Sequence, residues 1–299
     1  MNFKVKYGQS LKSFLVENLR RIYIPYLFFA FAWDVTNMVK ELYLNKFFDF
    51  SFKEITKNIL SVFIGGGLFK SNASIGASWF LLALFVVRIV CWIILKETNN
   101  NVAFLGAFSL CLFMLAYLCN GKDFLPFKIF STLSSFLFWY IGYIAKNILK
   151  GVSKSLSQLK LVLMSGMCLM VVFFVAMAID APLFLVTNNL PQNSILTLIG
   201  GMLGCVGIYF LSVVIARTKV ATFFSFFGVN SLIIMGIHTE IHYGFRLIFE
   251  IIGLNKICTE VLLFAIILLL SFPASFLLNK YFPVLVGKRN SNELKGELQ

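Results

Sequence analysis

The sequence predicts an all-α protein that crosses a membrane about eight times, and three observations support this prediction. The chain has 299 residues, of which 59% are hydrophobic and only 13% are charged, and its mean hydropathy is +0.87. Soluble domains carry about 25% charged residues. Eight apolar runs each approach the length of about 20 residues that a helix needs to cross a bilayer. Basic residues flank these runs, so the net charge of +13 indicates topology signals rather than a nucleic-acid partner.

The predicted spans follow one another along most of the chain. They cover Ile22–Val39, Ser78–Leu95, Val102–Cys119, Phe130–Leu149, Leu159–Ile179, Ile195–Ala216, Phe223–Phe249 and Ile257–Phe282. Polar residues interrupt the seventh run, which predicts a shorter or tilted helix there. This division gives a basic cytoplasmic segment over residues 1–21, a membrane domain over 22–282 and a cytoplasmic tail over 283–299.

The basic residues also predict the orientation of the chain. They concentrate at the N-terminus, after the second run, between the fourth and fifth runs, after the sixth run and in the tail. Loops rich in lysine and arginine stay in the cytoplasm. We therefore expect both termini inside, in a multi-pass protein of a bacterial cytoplasmic membrane that contacts lipid on its outer surface.

The longest connection, residues 40–77, is expected outside. Its middle, Phe52–Ile64, carries apolar residues at helical spacing with lysines on the opposite side, and three glycines follow it. The segment is too short to span, so this pattern predicts an interfacial helix. Such a helix could cover a site or could only rest on the lipid.

Ionisable residues inside apolar runs are candidates for function, because each costs several kcal/mol unless it faces a cavity or a partner. Asp34 lies in the first run, and Arg88 lies near the middle of the second. The guanidinium group of Arg88 could pair with Asp34, or it could bind an anionic group of a substrate.

The seventh run contains His238, Glu240 and His242. Two histidines four residues apart share a helix face, but Glu240 points elsewhere and no third ligand is near in sequence. We therefore expect no metal. His238 lies deeper in the run and is the candidate general base, because imidazole takes up and releases protons near neutral pH.

The first run begins with Arg20-Arg21-Ile22-Tyr23-Ile24-Pro25-Tyr26. Pro25 is expected in the first helical turn, where backbone N–H groups have no helical partner. The two guanidinium groups are either an ordinary membrane anchor or a grip for a phosphorylated cofactor that arrives from the cytosol.

Three segments, taken in order, resemble the acyltransferase 3 family, which comprises bacterial membrane-bound acyltransferases and includes fucose 4-O-acetylase-like proteins. Phe14–Tyr26 is similar to the Arg–Pro–Tyr entry of that family's third helix. Gly76–Arg88 is similar to its Trp-Phe-Leu helix start. Phe226–Leu232, followed by His238, is similar to its Gly-x-Asn-Ser-Leu stretch.

The resemblance implies an enzyme that moves an acyl group, usually acetyl from acetyl-CoA, to a hydroxyl of a cell-surface or envelope glycan. It implies that Arg21 helps to hold the donor at the cytoplasmic face. It also implies that Trp79, Asn230 and His238 line the cavity inside the membrane, while Arg88 remains a candidate for binding substrate.

The resemblance also implies a difference. Family members typically have ten spans, and the histidine regarded as catalytic lies on the first of them. The present chain resembles the family from its third helix onward, and Asn18 stands where another basic residue is common. We therefore expect acyl transfer by the chain as written to be impaired, and comparison with an upstream-extended version tests this expectation.

Two other functions stay open. One is a multi-pass transporter of a small molecule or a lipid-linked sugar, and the other is a membrane remnant without catalytic activity. No internal repeat relates the two halves of the chain, and no paired broken runs are visible, which is evidence against the transporter.

Overall fold

The computed structural model describes residues 10–45, 52–65, 75–120, 126–179 and 194–288. These residues are mostly helical, with no strand among them, so the predicted all-α class is confirmed. The helices are α1 (Leu11–Asn18), α2 (Ile24–Asn45), α3 (Phe52–Ile64), α4 (Trp79–Glu97), α5 (Val102–Leu118), α6 (Ile129–Ser155), α7 (Gln158–Ala178), α8 (Ser194–Ile215), α9 (Ala221–Val229), α10 (Ser231–Ile252) and α11 (Lys256–Tyr281).

Each of the eight predicted runs is helical, but not all of these helices are both long enough and apolar enough to cross a membrane. Within the described residues, five helical stretches are long and apolar enough to cross, and α9 with α10 would make a sixth if they count as one bent span. The helix α5 has 17 residues, and α6 carries Lys146, Lys150 and Lys154 along its second half. The protein is therefore a polytopic helical membrane protein, while the orientation of its termini stays a prediction.

Polar side chains mark several helix ends. The side chains of Ser10, Asn101 and Asn255 accept hydrogen bonds from the backbone N–H groups of Ser13, Phe104 and Cys258, at 3.2, 3.0 and 2.8 Å. These bonds satisfy N–H groups that have no partner inside the helix. At the other end of α10, Gly253 takes the left-handed conformation, with a φ of 76°, which a residue without a Cβ adopts without strain.

The first span begins earlier than the apolar pattern predicts. Helix α1 starts at Leu11 and continues into α2 through a π-helical turn at Leu19–Tyr23. Pro25 therefore lies inside a long helix, and its expected place in a first turn is wrong. A proline cannot donate a hydrogen bond to the carbonyl four residues earlier, which here belongs to Arg21. The widened turn immediately before Pro25 accommodates this interruption.

Helix α3 packs against α2 with one face and leaves the other exposed. The hydroxyl of Tyr26 donates to the carbonyl of Val62, and the hydroxyl of Tyr23 donates to that of Phe63 at 3.0 Å. Val62 and Ser61 are fully buried, whereas Phe52, Ile59 and Leu60 are exposed. The predicted helix is confirmed and ends before Gly65, and its position at the membrane interface stays a prediction. The last carbonyls of a helix lack helical partners, and the two tyrosines and the N–H of Gly65 supply them here.

The predicted seventh run is two helices rather than one shorter or tilted helix. Helices α9 and α10 meet at Asn230 with a bend of 76°. The second of them, α10, runs in the same direction as α2, because Gly236 packs on Phe29 while the rings of Tyr243 and Trp33 lie 5.4 Å apart.

The described helices form two compact units. One contains α5 to α8, with the end of α4 and most of α9. In it, α7 and α8 pack closely because Gly200, Gly204 and Gly207 present almost no side chain to α7. The hydroxyl of Ser165 on α7 donates to the carbonyl of Gly207 at 2.9 Å.

The other unit contains α1, α2, α3, the first part of α4, α10 and α11. All five of the site residues predicted from the sequence belong to this second unit. Its core is a continuous cluster of buried apolar side chains from each of its parts: Ile22, Tyr26, Phe29, Ala30, Val62, Ile75, Leu81, Leu82, Ile233 and Val286. The burial of this cluster holds α2, α3, α4, α10 and the turn after α11 together.

Candidate functional site

A cleft of about 400 Å³ lies along α1 and the π-turn. Lys12, Arg20 and Arg21 give it a basic lining, and Glu17 is its one acidic residue. Two series of lining residues at a spacing of four, one of Lys12, Val16 and Arg20 and one of Ser13, Glu17 and Arg21, run side by side along one helix face. The full lining is Ser10, Lys12, Ser13, Val16, Glu17, Arg20, Arg21 and Gly287. Three cations around an open cleft indicate a site for a polyanion.

Arg21 and Arg88 come together at this end of the unit. The guanidinium of Arg21 lies 3.1 Å from the carboxylate of Glu17, and its side chain is half exposed. Arg88 lies within electrostatic range of both Glu17 and Arg21. Helix α4 runs antiparallel to α2, since Gly76, just before α4, packs on Trp33 while Phe85 contacts Tyr23 with ring centroids 5.1 Å apart. Arg88, three residues further along α4, is therefore level with the π-turn.

Asn230 is the hinge between α9 and α10, and it is 5% exposed. The side-chain amide of Asn279 on α11 donates to Oδ1 of Asn230 at 2.8 Å, and the ammonium of Lys288 lies 3.5 Å from the same oxygen. The predicted site residue thus belongs to a polar cluster of three side chains, Asn230, Asn279 and Lys288, which we call the hinge cluster.

His238 lies on α10, eight residues after Asn230, which corresponds to about 12 Å along a helix. Its Nδ1 is 2.7 Å from the carbonyl oxygen of Met235. A carbonyl oxygen only accepts hydrogen bonds, so this contact requires the proton on Nδ1 and leaves the lone pair on Nε2. The half-buried imidazole therefore has the tautomer that a general base needs at Nε2.

Trp79 begins α4 and packs against the core cluster that contains Tyr26 and Ile233. Its ring meets that of Phe80 nearly edge-on, with centroids 6.3 Å apart. Trp79 is therefore part of the scaffold that holds α4 against α10, and its contact with a substrate stays a prediction.

The other ionisable residues of α10 bind neighbours of their own. The hydroxyl of Thr239 donates to the carboxylate of Glu240 at 3.1 Å. Nε2 of His242 lies 3.7 Å from the carboxylate of Glu260 on α11. Within the described ranges, no three histidine, cysteine or acidic side chains form a metal-binding group, and the absence of a metal stays a prediction.

Sequence reasoning missed four contributors to these two clusters, namely Lys12, Glu17, Asn279 and Lys288. A helix that begins after a Ser10 cap places Glu17 and Arg21 one turn apart, and this spacing is the signal in the sequence that indicates the cleft. No local pattern joins Asn279 or Lys288 to Asn230, because 49 and 58 residues of sequence separate them.

The fold and these clusters define a polytopic helical membrane protein with a basic cleft at the start of its first span. A family profile described as an acyltransferase domain, that of the acyltransferase 3 family, matches residues 3–280. The chain belongs to this family, and the resemblance of its three segments is confirmed. Comparison with curated proteins and with solved structures gives no match. The family supports an acyltransferase activity in general.

Proposed function

We propose that the protein transfers an acyl group, acetyl as the family resemblance implies, from acyl-CoA to a hydroxyl of a cell-surface or envelope glycan. The observation that carries this proposal is the basic cleft of Lys12, Arg20 and Arg21 at the start of the first span. A cytosolic polyanion needs such a surface at the membrane face, and an uncharged donor would not.

The cleft suits the nucleotide end of a CoA donor. Its volume of about 400 Å³ falls within the range of about 300–1,000 Å³ that is common for small-molecule sites. Guanidinium groups bind phosphate through paired N–H groups, and Arg20 and Arg21 supply two of them. Arg88 adds a third guanidinium group within electrostatic range of Arg21.

In the proposed transfer step, His238 acts as the general base. Nε2 of His238 accepts the proton of the acceptor hydroxyl as the hydroxyl oxygen attacks the thioester carbonyl carbon. A new C–O bond forms, the C–S bond breaks, and the CoA thiolate leaves and takes up the proton that the histidine gained. The contact of Nδ1 with Met235 keeps the imidazole in one orientation throughout.

The test uses the purified protein and its upstream-extended version in lipid nanodiscs, with radiolabelled acetyl-CoA and envelope glycan as substrates, and each substitution is made in both, so that an impaired basal rate does not hide its effect. We expect His238→Ala to lower acetyl transfer about 100-fold or more without changing the affinity for CoA. His242→Ala is the matched control on the same helix and should transfer normally. We expect Arg21→Gln to weaken CoA binding. Normal transfer by His238→Ala would refute the assignment of the base. The expectation of impaired transfer by the chain as written remains a prediction.

A transporter remains the second candidate, because the 76° break between α9 and α10 is a feature of substrate sites in transporters. The family membership favours acyl transfer over it. Uptake of a labelled sugar into proteoliposomes without any transfer of acetyl would favour the transporter.

A further inference from the structure

The chain segment after α11 is ordered and packs into the core of the second unit. Val284–Val286 forms a single 3₁₀ turn, and Val286 is 5% exposed in the core cluster with Ile22 and Tyr26. The backbone N–H of Lys288 donates to the carbonyl of Pro283 at 2.8 Å, which closes the turn. We call Pro283–Lys288 the C-terminal turn. Its position is fixed by a buried side chain and by backbone bonds.

The C-terminal turn touches the basic cleft at Gly287. This glycine has a φ of +74°, and a Cβ built on it would lie 2.8 Å from the carbonyl oxygen of Arg21 and 3.3 Å from the ring of Pro25. Only glycine allows so close an approach of the two backbones. Gly287 is also one of the residues that line the cleft. The C-terminal turn therefore forms a wall of the same cleft that Lys12, Arg20 and Arg21 line.

Lys288 follows Gly287 directly and reaches the hinge cluster. Its ammonium lies 3.5 Å from Oδ1 of Asn230, which also accepts from Asn279. This partner is a neutral amide, and among the described residues no carboxylate lies within ion-pair distance of Lys288. Burial lowers the pKa of Lys288 from its usual range. An anion bound beside a partly buried ammonium stabilises it, because the attraction between opposite charges is stronger where water is partly excluded.

We propose that the C-terminal turn completes the anion site and that Lys288, the residue after the Gly287 that lines the cleft, binds a phosphate group of the CoA donor. Asn230 and Asn279 act as positioning residues, since they hold the Lys288 side chain at the hinge of α9 and α10. This inference rests on the proposed function, because it names a further ligand of the same donor. A phosphate of a lipid headgroup shares the chemistry, and the experiment separates the two sources.

The experiment measures binding by calorimetry to the full-length protein in phosphatidylcholine nanodiscs. The probes are CoA, which carries a phosphomonoester and a diphosphate, and pantetheine, which carries no phosphate. We expect Lys288→Gln to weaken CoA binding about tenfold, as the loss of one charge-assisted hydrogen bond does, and to leave pantetheine binding unchanged. Lys288→Arg should keep the affinity. Lys280→Gln is the matched control, because Lys280 is exposed and lies over the rings of Phe276 and Tyr281.

A pH series distinguishes a phosphate ligand from a structural lysine. As the pH rises through the lowered pKa of Lys288, the ammonium loses its charge and CoA affinity should fall. Arginine stays charged over this range, so Lys288→Arg should show no such fall. This comparison holds even if Lys288→Gln fails to fold. Identical pH profiles for the wild type and Lys288→Arg would overturn the proposal.

The outcomes separate this inference from the proposed function. If the wild type binds no CoA, both fail together. If Arg21→Gln weakens CoA binding while Lys288→Gln binds as the wild type does, the inference alone fails. Loss of a copurifying anionic lipid from Lys288→Gln, with CoA affinity unchanged, would assign the phosphate to a lipid headgroup and would also overturn the proposal.

Discussion

Replacing Gly236 with alanine tests whether the close contact of α10 with α2 positions His238. A Cβ at this glycine would lie 2.2–2.5 Å from three ring atoms of Phe29, whereas carbon atoms in contact lie about 3.5–4.0 Å apart. The two helices, or the ring, must therefore move by more than 1 Å. Phe29 is 2% exposed, so its ring has little space to move into.

The magnitude follows from two opposing effects. Overpacking a buried site costs about 1–3 kcal/mol, while alanine in place of a glycine inside a helix gains about 1 kcal/mol. We expect Gly236→Ala to destabilise the protein by at most about 2 kcal/mol. A displacement of about 1 Å in a catalytic group can lower a rate about 100-fold. The rate of acetyl transfer should therefore fall by up to about 100-fold, although most of the protein remains folded.

The assay compares thermal unfolding in detergent and acetyl transfer for Gly236→Ala and for Gly244→Ala. Gly244 lies on the same helix, but nothing lies within 4 Å of its added Cβ. Gly244→Ala should therefore gain stability and keep its activity. Equal stability and equal transfer in the two variants would refute the packing argument.

Two further predictions concern the C-terminal turn and α3. Gly287→Ala should destabilise by about 2–4 kcal/mol, because it combines left-handed strain with a backbone clash. Gly253→Ala is the control, because Gly253 also has a positive φ but its added Cβ would contact nothing. It should cost only about 1 kcal/mol, and equal shifts of the unfolding temperature in the two variants would contradict the clash. Tyr26→Phe removes one of the two donors to the carbonyl of Val62, whose other donor is the N–H of Gly65, and should cost about 1 kcal/mol, with faster proteolysis of α3. Tyr281→Phe, at an exposed ring, is the control, and equal proteolysis would contradict the capping role.

The helical class could be predicted from sequence because it depends on local composition. Every apolar run became a helix, since each can satisfy its backbone only by internal hydrogen bonds in lipid. The position of α3 could not be predicted in this way. Its lysines and its short length suggest an interface, and only the remote hydroxyls of Tyr23 and Tyr26 show that its end is buried.

The candidate site was predictable in part. Arg21 and Asn230 stand in segments that resemble the family, so the sequence indicated them. Their partners did not stand out, because Lys288 looks like one more basic residue of a tail. The polar residues of the seventh run indicated an irregular helix but not a break at Asn230, because the hydrogen bond from Asn279 on α11 to Asn230 leaves no mark in the local sequence.

Because of the π-turn at Leu19–Tyr23, the relative orientation of α1 and α2 depends on the number of residues in the turn more than on which residues they are. A π-turn holds one residue more than an α-helical turn, and each residue of a helix rotates the chain by about 100°. The deletion of a single residue here would restore regular winding. It would also swing the cationic face of α1 by about a quarter of a circle relative to the apolar face of α2. The helical winding should therefore tolerate substitutions at these five positions better than an insertion or deletion, while Arg20 and Arg21 are still required as the cations of the cleft.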